Sequence, residues 1–110
     1  MSAAEGAYVR IWEFRAKPGL EQEFERIYGP EGDWAQLFRK SASFLRTELN
    51  CDLEHKGRYV TVDYFVSEAA FAAFLKEFRE EYDALDRRCE AVRASEGSIG
   101  SFLNRGGTLG

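Results

Sequence analysis

Arg10 and Asp63 are charged residues in two alternating segments that are otherwise rich in aromatic side chains. Residues two apart in a β-strand share a face. The residues that share a face with these charges are Tyr8, Trp12 and Phe14 for Arg10, and Tyr59, Thr61 and Phe65 for Asp63. A guanidinium on an aromatic face could orient a phenolate or carboxylate ligand, because it donates paired hydrogen bonds to such anions.

Aromatic side chains are numerous, with nine Phe, five Tyr and two Trp. Some of them could line a pocket for a flat aromatic ligand: Trp12, Trp34, Phe65, Phe78 and Tyr82. Aromatic residues at amphipathic spacing are also typical of an ordinary hydrophobic core. The spacing alone leaves both interpretations open.

Metal and nucleophile motifs are missing from the sequence. Cys51 and Cys89 do not form a CxxC pair, and we expect two buried, reduced thiols. His55 is the only histidine and lies in a polar turn, which favours an exposed loop over a general base. One His and two distant Cys do not make a zinc site. The sequence therefore predicts no metal and no cofactor.

The length and composition predict one globular domain over residues 1–110, with an ordered core of about 7–104. The net charge of −4 argues against nucleic acid as a partner. No apolar run approaches the roughly 20 residues of a membrane span, and no basic amphipathic helix suggests a membrane surface. The N-terminus lacks the features of a signal peptide. We therefore expect a cytoplasmic protein.

Hydrophobic periodicity and turn residues predict the order β-α-β-β-α-β. The predicted segments are strands at 8–15, 44–51, 59–66 and 97–103, a helix from 20 that is interrupted at 29–32 and capped again at Asp33, a hairpin at 52–57, a helix over 68–92 capped by Ser67, and a frayed tail over 105–110. This order is that of a ferredoxin-like α+β fold, with a four-stranded antiparallel sheet and helices on one face.

The second long helix has the strongest periodicity, and it predicts that Phe74 and Phe78 are buried beneath it. A straight helix of this length would measure roughly 37 Å at 1.5 Å per residue. A domain of this size has a radius of gyration of only about 13 Å. The helix must therefore bend or overhang a partner.

The strand over 59–66 is apolar on both faces, with Val60, Val62, Tyr64 and Val66 on the face opposite Phe65. A strand that buries both faces needs cover on both sides. The helices of this short chain suffice for one side. We therefore expect a homodimer in which a second subunit covers the other side, including Val9 and Ile11.

Two segments resemble the antibiotic biosynthesis monooxygenase family: Glu13-Phe14-Arg15-Ala16-Lys17-Pro18-Gly19, and Val62-Asp63-Tyr64-Phe65-Val66-Ser67 with Phe71 and Phe74 beyond it. The resemblance spans nearly the whole chain in element order. It implies a ferredoxin-like chain that dimerises through its sheet into an α+β barrel. The family includes cofactor-free monooxygenases of polycyclic phenols, haem-degrading enzymes and quinol-oxidising proteins.

The resemblance also implies where a ligand binds, namely between the sheet and the helices of one subunit. A Trp is common in the family at the position of Phe65, so Phe65 should face the helices, and strand alternation then places Asp63 on the same side. The junction match places Arg10 and Trp12 there too. The haem-degrading branch has an Asn in place of Trp12 and a His on the second long helix, where this chain has none, which argues against haem.

Two interpretations of Arg10 and Asp63 follow. They could form a structural ion pair that pins neighbouring strands. Alternatively, Arg10 could orient an anionic ligand while Asp63 holds the guanidinium.

The resulting hypothesis is a cofactor-independent monooxygenase that acts on an electron-rich aromatic or polyketide-like molecule. Its expected catalytic residues are Arg10, Trp12 and Asp63, and its expected substrate-binding residues are Trp34, Phe65, Phe78 and Tyr82. The alternatives are a ligand-binding or accessory dimer without turnover, and a polyketide cyclase or isomerase that uses Asp63 as acid or base.

Overall fold

The computed structural model describes residues 6–107. Its elements are β1 (Tyr8–Ala16), α1 (Glu21–Tyr28), α2 (Asp33–Phe38), β2 (Phe44–Cys51), β3 (Arg58–Phe65), α3 (Glu68–Glu77), α4 (Arg79–Cys89) and β4 (Arg93–Leu103). The predicted frayed tail falls partly outside the described residues, because 108–110 are not described. Residues 105–107 belong to no helix or strand.

The four strands form one antiparallel sheet in the order β2-β3-β1-β4. The central strands β1 and β3 are neighbours in the sheet although α1, α2 and β2 lie between them in the sequence, which is the ferredoxin-like arrangement. The predicted fold class is confirmed. Within residues 6–107, no helix has the length and apolar character needed to cross a membrane.

The two faces of the sheet differ in burial. Along β3, Tyr59, Thr61, Asp63 and Phe65 are buried, whereas the alternate residues Val60, Val62 and Tyr64 are half-buried. The helices cover the first face, where the ring of Phe65 lies 4.9 Å from that of Phe71 in α3. The alternation predicted from sequence is therefore correct. The opposite face, called the outer face below, is not covered by any described helix.

The predicted long helix is divided at Phe78, which lies between α3 and α4 with φ −112° and ψ 26°. Backbone hydrogen bonds continue across the division, since Phe78 N–H donates to Phe74 and Tyr82 N–H donates to Phe78, both at 2.9 Å. The bend keeps both helices over the sheet. Phe74 is buried as predicted, but Phe78 is only half-buried, because its position at the bend leaves one side uncovered.

Ser67 caps α3 as predicted, because its Oγ accepts a hydrogen bond of 3.0 Å from the N–H of Ala70. Asp33 is the first residue of α2 and does not cap it. Both cysteines are unpaired. Cys89 is buried, but the prediction that Cys51 is buried is wrong, because it ends the edge strand β2 with its side chain exposed.

We expect Phe74→Ala to lower the free energy of unfolding by about 3–5 kcal/mol, because it empties a well-packed aromatic site. Phe74 is 2% exposed, and its ring lies within 5.8 Å of those of Phe38, Phe65 and Phe78. Phe78→Ala removes the same atoms from a half-buried site and should cost clearly less. Urea denaturation of both variants measures the difference. Equal losses would contradict the assigned rotation of α3.

Candidate functional site

A cavity of about 170 Å³ lies between the buried face of the sheet and the helices. Every strand and three of the four helices contribute to its wall. Six aromatic residues line it: Trp12 and Phe14 of β1, Tyr28 of α1, Trp34 and Phe38 of α2, and Tyr82 of α4. Such a wall suits a flat apolar ligand, since aromatic rings pack in stacked and edge-on arrangements.

The wall is rigid where Trp34 and Tyr82 meet. Their rings pack edge to face with centroids 5.0 Å apart. The Nε1–H of Trp34 is enclosed and has no hydrogen-bond acceptor among residues 6–107. Burial raises the pKa of Tyr82, and the nearby Arg10 guanidinium lowers it in part. Tyr82 therefore carries its proton at neutral pH.

Arg10 presents a guanidinium to this cavity without a carboxylate partner. Its guanidinium carbon lies 4.2 Å from the ring centroid of Phe71 and 5.6 Å from that of Trp12. In the described part of the chain no carboxylate oxygen comes within 4.0 Å of its nitrogens. The guanidinium lies against aromatic rings and close to the hydroxyl of Tyr82, and no carboxylate of the described residues occupies its donors, which could therefore bind an anion.

Asp63 is the direct cross-strand neighbour of Arg10, in the β1–β3 ladder. The expected ion pair between them is nevertheless not formed, because the guanidinium turns to the rings of Phe71 and Trp12. Asp63 is 7% exposed and accepts a hydrogen bond of 2.5 Å from Thr47 Oγ1. Burial raises the pKa of Asp63 to about 6, although the hydrogen bond from Thr47 and the charge of Arg10 lower it.

A second guanidinium, that of Arg93, occupies another part of the wall. Its side chain is 7% exposed, and it pairs with Asp86 at 3.0 Å and with Glu96 at 3.3 Å. It also donates a hydrogen bond of 3.3 Å to the hydroxyl of Tyr28. Because its donors are engaged, Arg93 ties β4 to α4 and α1 and offers less to a ligand than Arg10 does.

The structure brings together five of the seven predicted site residues in the cavity wall: Arg10, Trp12, Trp34, Asp63 and Tyr82. Phe65 and Phe78 do not line it. Phe65 is completely buried among other phenylalanine rings, including Phe71 at 4.9 Å. Phe78 lies at the bend between α3 and α4, against Phe74. Both serve the packing of α3.

Sequence reasoning missed several polar residues of the wall: Tyr28, Thr47, Asp86, Arg93 and Glu96. Arg93 and Glu96 were missed because β4 begins at Arg93, four residues before its predicted start at 97. The segment Arg93-Ala-Ser-Glu96 has no apolar alternation that would indicate a strand. Tyr28 falls at helical spacing with Phe24 and Ile27, and such spacing carries no sign of the partner of its hydroxyl.

One group of possible metal ligands lies outside the cavity, in the β2–β3 hairpin. Asp52, Glu54 and His55 offer ligand atoms within 4.8 Å of one another. Both carboxylate oxygens of Asp52 are already engaged: Oδ1 accepts the N–H groups of Glu54 and His55, and Oδ2 lies 3.0 Å from Arg58 Nη1. These contacts are those of a tight turn. His55 is exposed, as predicted.

Solved structures with the same fold cover almost the whole chain. SnoaB, a cofactor-independent oxygenase from Streptomyces nogalater, aligns over 93% of this chain and 96% of its own, with a TM-score of 0.69 and 21% identity. PA3566 from Pseudomonas aeruginosa aligns over 94% and 98%, with a TM-score of 0.65 and 17% identity. NE2512 from Nitrosomonas europaea, a protein of unknown function, aligns over 98% of both chains, with a TM-score of 0.70 and 14% identity.

These identities are low, so the structural matches establish the fold alone. No curated protein sequence matches the chain. The sequence profile of one family, described as antibiotic biosynthesis monooxygenase, matches residues 7–78. That range covers most of the chain and includes β1, β3 and the whole of α3. The chain belongs to the antibiotic biosynthesis monooxygenase family.

Proposed function

We propose that the protein is a cofactor-independent monooxygenase that oxidises an electron-rich aromatic small molecule. Family membership and the shared fold of SnoaB support the reaction class. The observation that carries the proposal is the unpaired guanidinium of Arg10 in an aromatic cavity. An enzyme that works on phenolate intermediates needs such a positive charge in a site that excludes most water.

The reaction that fits this site starts from a phenolate. The phenolate passes one electron to dioxygen, and the resulting radical pair combines at a ring carbon to give a peroxide anion, which takes up the proton that the phenol lost and becomes a hydroperoxide. Loss of water then gives a quinone. One oxygen atom of dioxygen stays on the ring carbon as a carbonyl, and the other leaves as water. Arg10 stabilises the anionic species, and Trp12 forms the wall against which the ring lies.

The cavity volume bears on the size of the substrate. An apolar cavity of about 150 Å³ in another protein is known to bind benzene. The volume of about 170 Å³ here therefore accommodates about one aromatic ring. A single-ring phenol fits entirely, and a polycyclic phenol would place only its reacting ring inside.

The proposal includes a homodimer joined through the outer faces of two sheets. The outer face carries Ile11, Val60, Val62 and Phe102, and Phe102 is 47% exposed. Contiguous apolar surface of this kind on a small domain is a feature of protein–protein interfaces. Association through this face would leave each aromatic cavity on the opposite side of its own sheet.

Oxygen uptake tests the reaction. With a panel of single-ring and two-ring phenols and hydroquinones, we expect at least one compound to drive uptake of one O₂ per molecule oxidised. Arg10→Lys should melt at an unchanged temperature and lose about tenfold or more in kcat/KM, because lysine lacks the planar fork that holds an oxyanion.

Arg87→Lys is the matched control, since Arg87 lies on α4 with its side chain exposed, outside both the cavity wall and the outer face of the sheet. It should change neither melting nor uptake. Binding of the phenols without oxygen uptake would instead indicate a ligand-binding protein. Equal kcat/KM for Arg10→Lys and wild type would remove Arg10 from the reaction.

A further inference from the structure

Asp63 occupies the middle of a polar row that crosses three strands. Its direct ladder neighbours are Thr47 on β2 and Arg10 on β1. Thr47 Oγ1 donates a hydrogen bond of 2.5 Å to Asp63 Oδ1. This contact fixes the carboxylate from the β2 side, while the β1 side holds the guanidinium that does not pair with it.

Asp63 lines the cavity, and its other carboxylate oxygen, Oδ2, is not the one that Thr47 binds. It accepts no hydrogen bond from the described residues, whose only bond to this carboxylate is the one from Thr47. It is also not enclosed by protein, because Trp34 Nε1 is the one enclosed side-chain polar atom without a partner in residues 6–107. Since Asp63 lines the cavity, Oδ2 has room for the hydroxyl of a ligand there.

We propose that Asp63 Oδ2 is the base that takes the proton from a phenolic hydroxyl bound in the cavity, and that Thr47 is its positioning residue. The inference rests on the proposed function in that it takes the ligand to be a phenol. It adds the proton acceptor that the reaction needs before an electron can pass to dioxygen.

Other charged and titratable groups share the cavity wall with Asp63: Arg10 of β1, Tyr28 of α1, Tyr82 and Asp86 of α4, and Arg93 and Glu96 of β4. The two carboxylates of this set already share the Arg93 guanidinium, at 3.0 and 3.3 Å. Burial raises the pKa of both tyrosines, so they keep their own protons at neutral pH.

Of the carboxylates that line the cavity, Asp63 alone has no cation within 4.0 Å in the described residues. Burial raises its pKa to about 6, against the lowering effects of Thr47 and Arg10. It is therefore ionised at neutral pH and more basic than an exposed carboxylate. A base whose pKa lies near the working pH combines the correct protonation state with a useful affinity for the proton.

The proton transfer balances within the site. The phenolic O–H bond breaks, its proton forms an O–H bond with Asp63 Oδ2, and the electron pair stays on the phenolate oxygen near Arg10. After dioxygen has added to the ring, the neutral carboxyl returns the proton to the departing peroxide oxygen. The ring hydrogen is lost in the same elimination, and water and the quinone leave.

Binding of 4-nitrophenol at neutral pH tests the transfer without any turnover. This single-ring phenol has a pKa near neutrality, and its phenolate absorbs at a longer wavelength than its neutral form. For wild type we expect the phenolate band with a net uptake of about half a proton, because Asp63 gains a proton for each phenolate bound while about half of the free phenol is already ionised. Calorimetry in buffers of different ionisation enthalpy counts the protons. In Asp63→Asn, binding should release about half a proton, so the two proteins should differ by about one proton per bound phenolate.

Thr47→Val separates positioning from packing, because valine keeps the shape and removes the hydrogen bond. Loss of that bond should raise the pKa of Asp63, so the acidic limb of the kcat/KM–pH profile should move to higher pH. A purely structural role for Thr47 would leave the limb in place. A circular dichroism spectrum equal to that of wild type confirms that each variant is folded.

The two proposals fail in different ways. Equal proton release by wild type and Asp63→Asn, or a bound phenol that stays neutral in wild type, would overturn the role of Asp63 whether or not oxygen is consumed. A proton-retaining phenolate complex with no oxygen uptake on any phenol would leave Asp63 as the acceptor and remove the oxygenase function.

Discussion

Asp63→Asn should be more stable than wild type at neutral pH and should lose most of its turnover. The pKa of Asp63 is raised from 3.8 to about 6 in the folded protein. The folded state thus binds the proton more tightly than the unfolded chain, and the ionised carboxylate destabilises the fold. Each tenfold change in proton affinity is worth about 1.4 kcal/mol, so the cost at neutral pH is up to about 3 kcal/mol.

The direction of this pKa shift determines the pH range in which Asp63→Asn should be more stable than wild type. Below about pH 4 the carboxyl is protonated in both states, and the variant should gain nothing over wild type. The gain should grow between pH 3.8 and about 6 and stay constant above that range. Urea denaturation of both proteins at several pH values measures it as a difference, which cancels the titration of the other groups.

Asp86→Asn is the matched control, because it makes the same chemical change in the same cavity wall. Asp86 pairs with the buried Arg93 at 3.0 Å, so its loss should destabilise the protein at neutral pH. A gain of stability in Asp63→Asn and a loss in Asp86→Asn would distinguish a carboxylate that destabilises the fold from one that supports it. A less stable Asp63→Asn at neutral pH would mean that this carboxylate supports the fold.

Turnover should fall by about 10²–10⁴-fold in Asp63→Asn, the usual contribution of a general base. The acidic limb of the pH profile should disappear with it. A variant that gains stability while it loses rate is expected where a site holds a buried charge for its chemistry. Unchanged turnover would mean that Asp63 is buried and destabilising but takes no part in the reaction.

The site could be predicted from sequence where strand alternation governs it. In β1 and β3 every second residue faces the helices, and this rule, anchored by the family resemblance at Phe65 and at the β1 junction, placed Arg10, Trp12 and Asp63 in one wall. Alternation fixes the face of a side chain but not its rotamer. The sequence therefore could not show that the guanidinium of Arg10 turns to Phe71 and leaves Asp63 without an ion pair.

The fold was predictable because the hydrophobic periodicity of its strands and helices is strong. The errors in the predicted elements lie at the helix bend and at the start of the last strand. The helical pattern runs through Phe78 without a glycine or proline, so nothing in the sequence marks the bend between α3 and α4. The apolar helical spacing ends at Val92, and the residues from Arg93 to Glu96 show no strand alternation. The sequence therefore places Arg93 in a loop between the helix and the strand. In the structure its guanidinium forms ion pairs with Asp86 and Glu96 in the cavity wall.

Ile11→Glu should convert the proposed homodimer into a monomer. Ile11 lies at the centre of the outer face, with Val62 and Gly100 as its cross-strand neighbours. Stable interfaces bury about 1,200–2,000 Å² with few charges at the core. Two opposed, desolvated glutamates should cost several kcal/mol, which weakens association by about 10²-fold or more. In a monomer the same side chain would remain hydrated, so the fold should persist.

Light scattering at micromolar concentration measures the result. Wild type should have about twice the mass of the 12.6 kDa chain, and Ile11→Glu should have the mass of one chain. Ala72→Glu adds the same charge to an exposed position of α3, away from the sheet, and should remain a dimer. A wild-type monomer, or an Ile11→Glu dimer, would show that the outer face is not the interface.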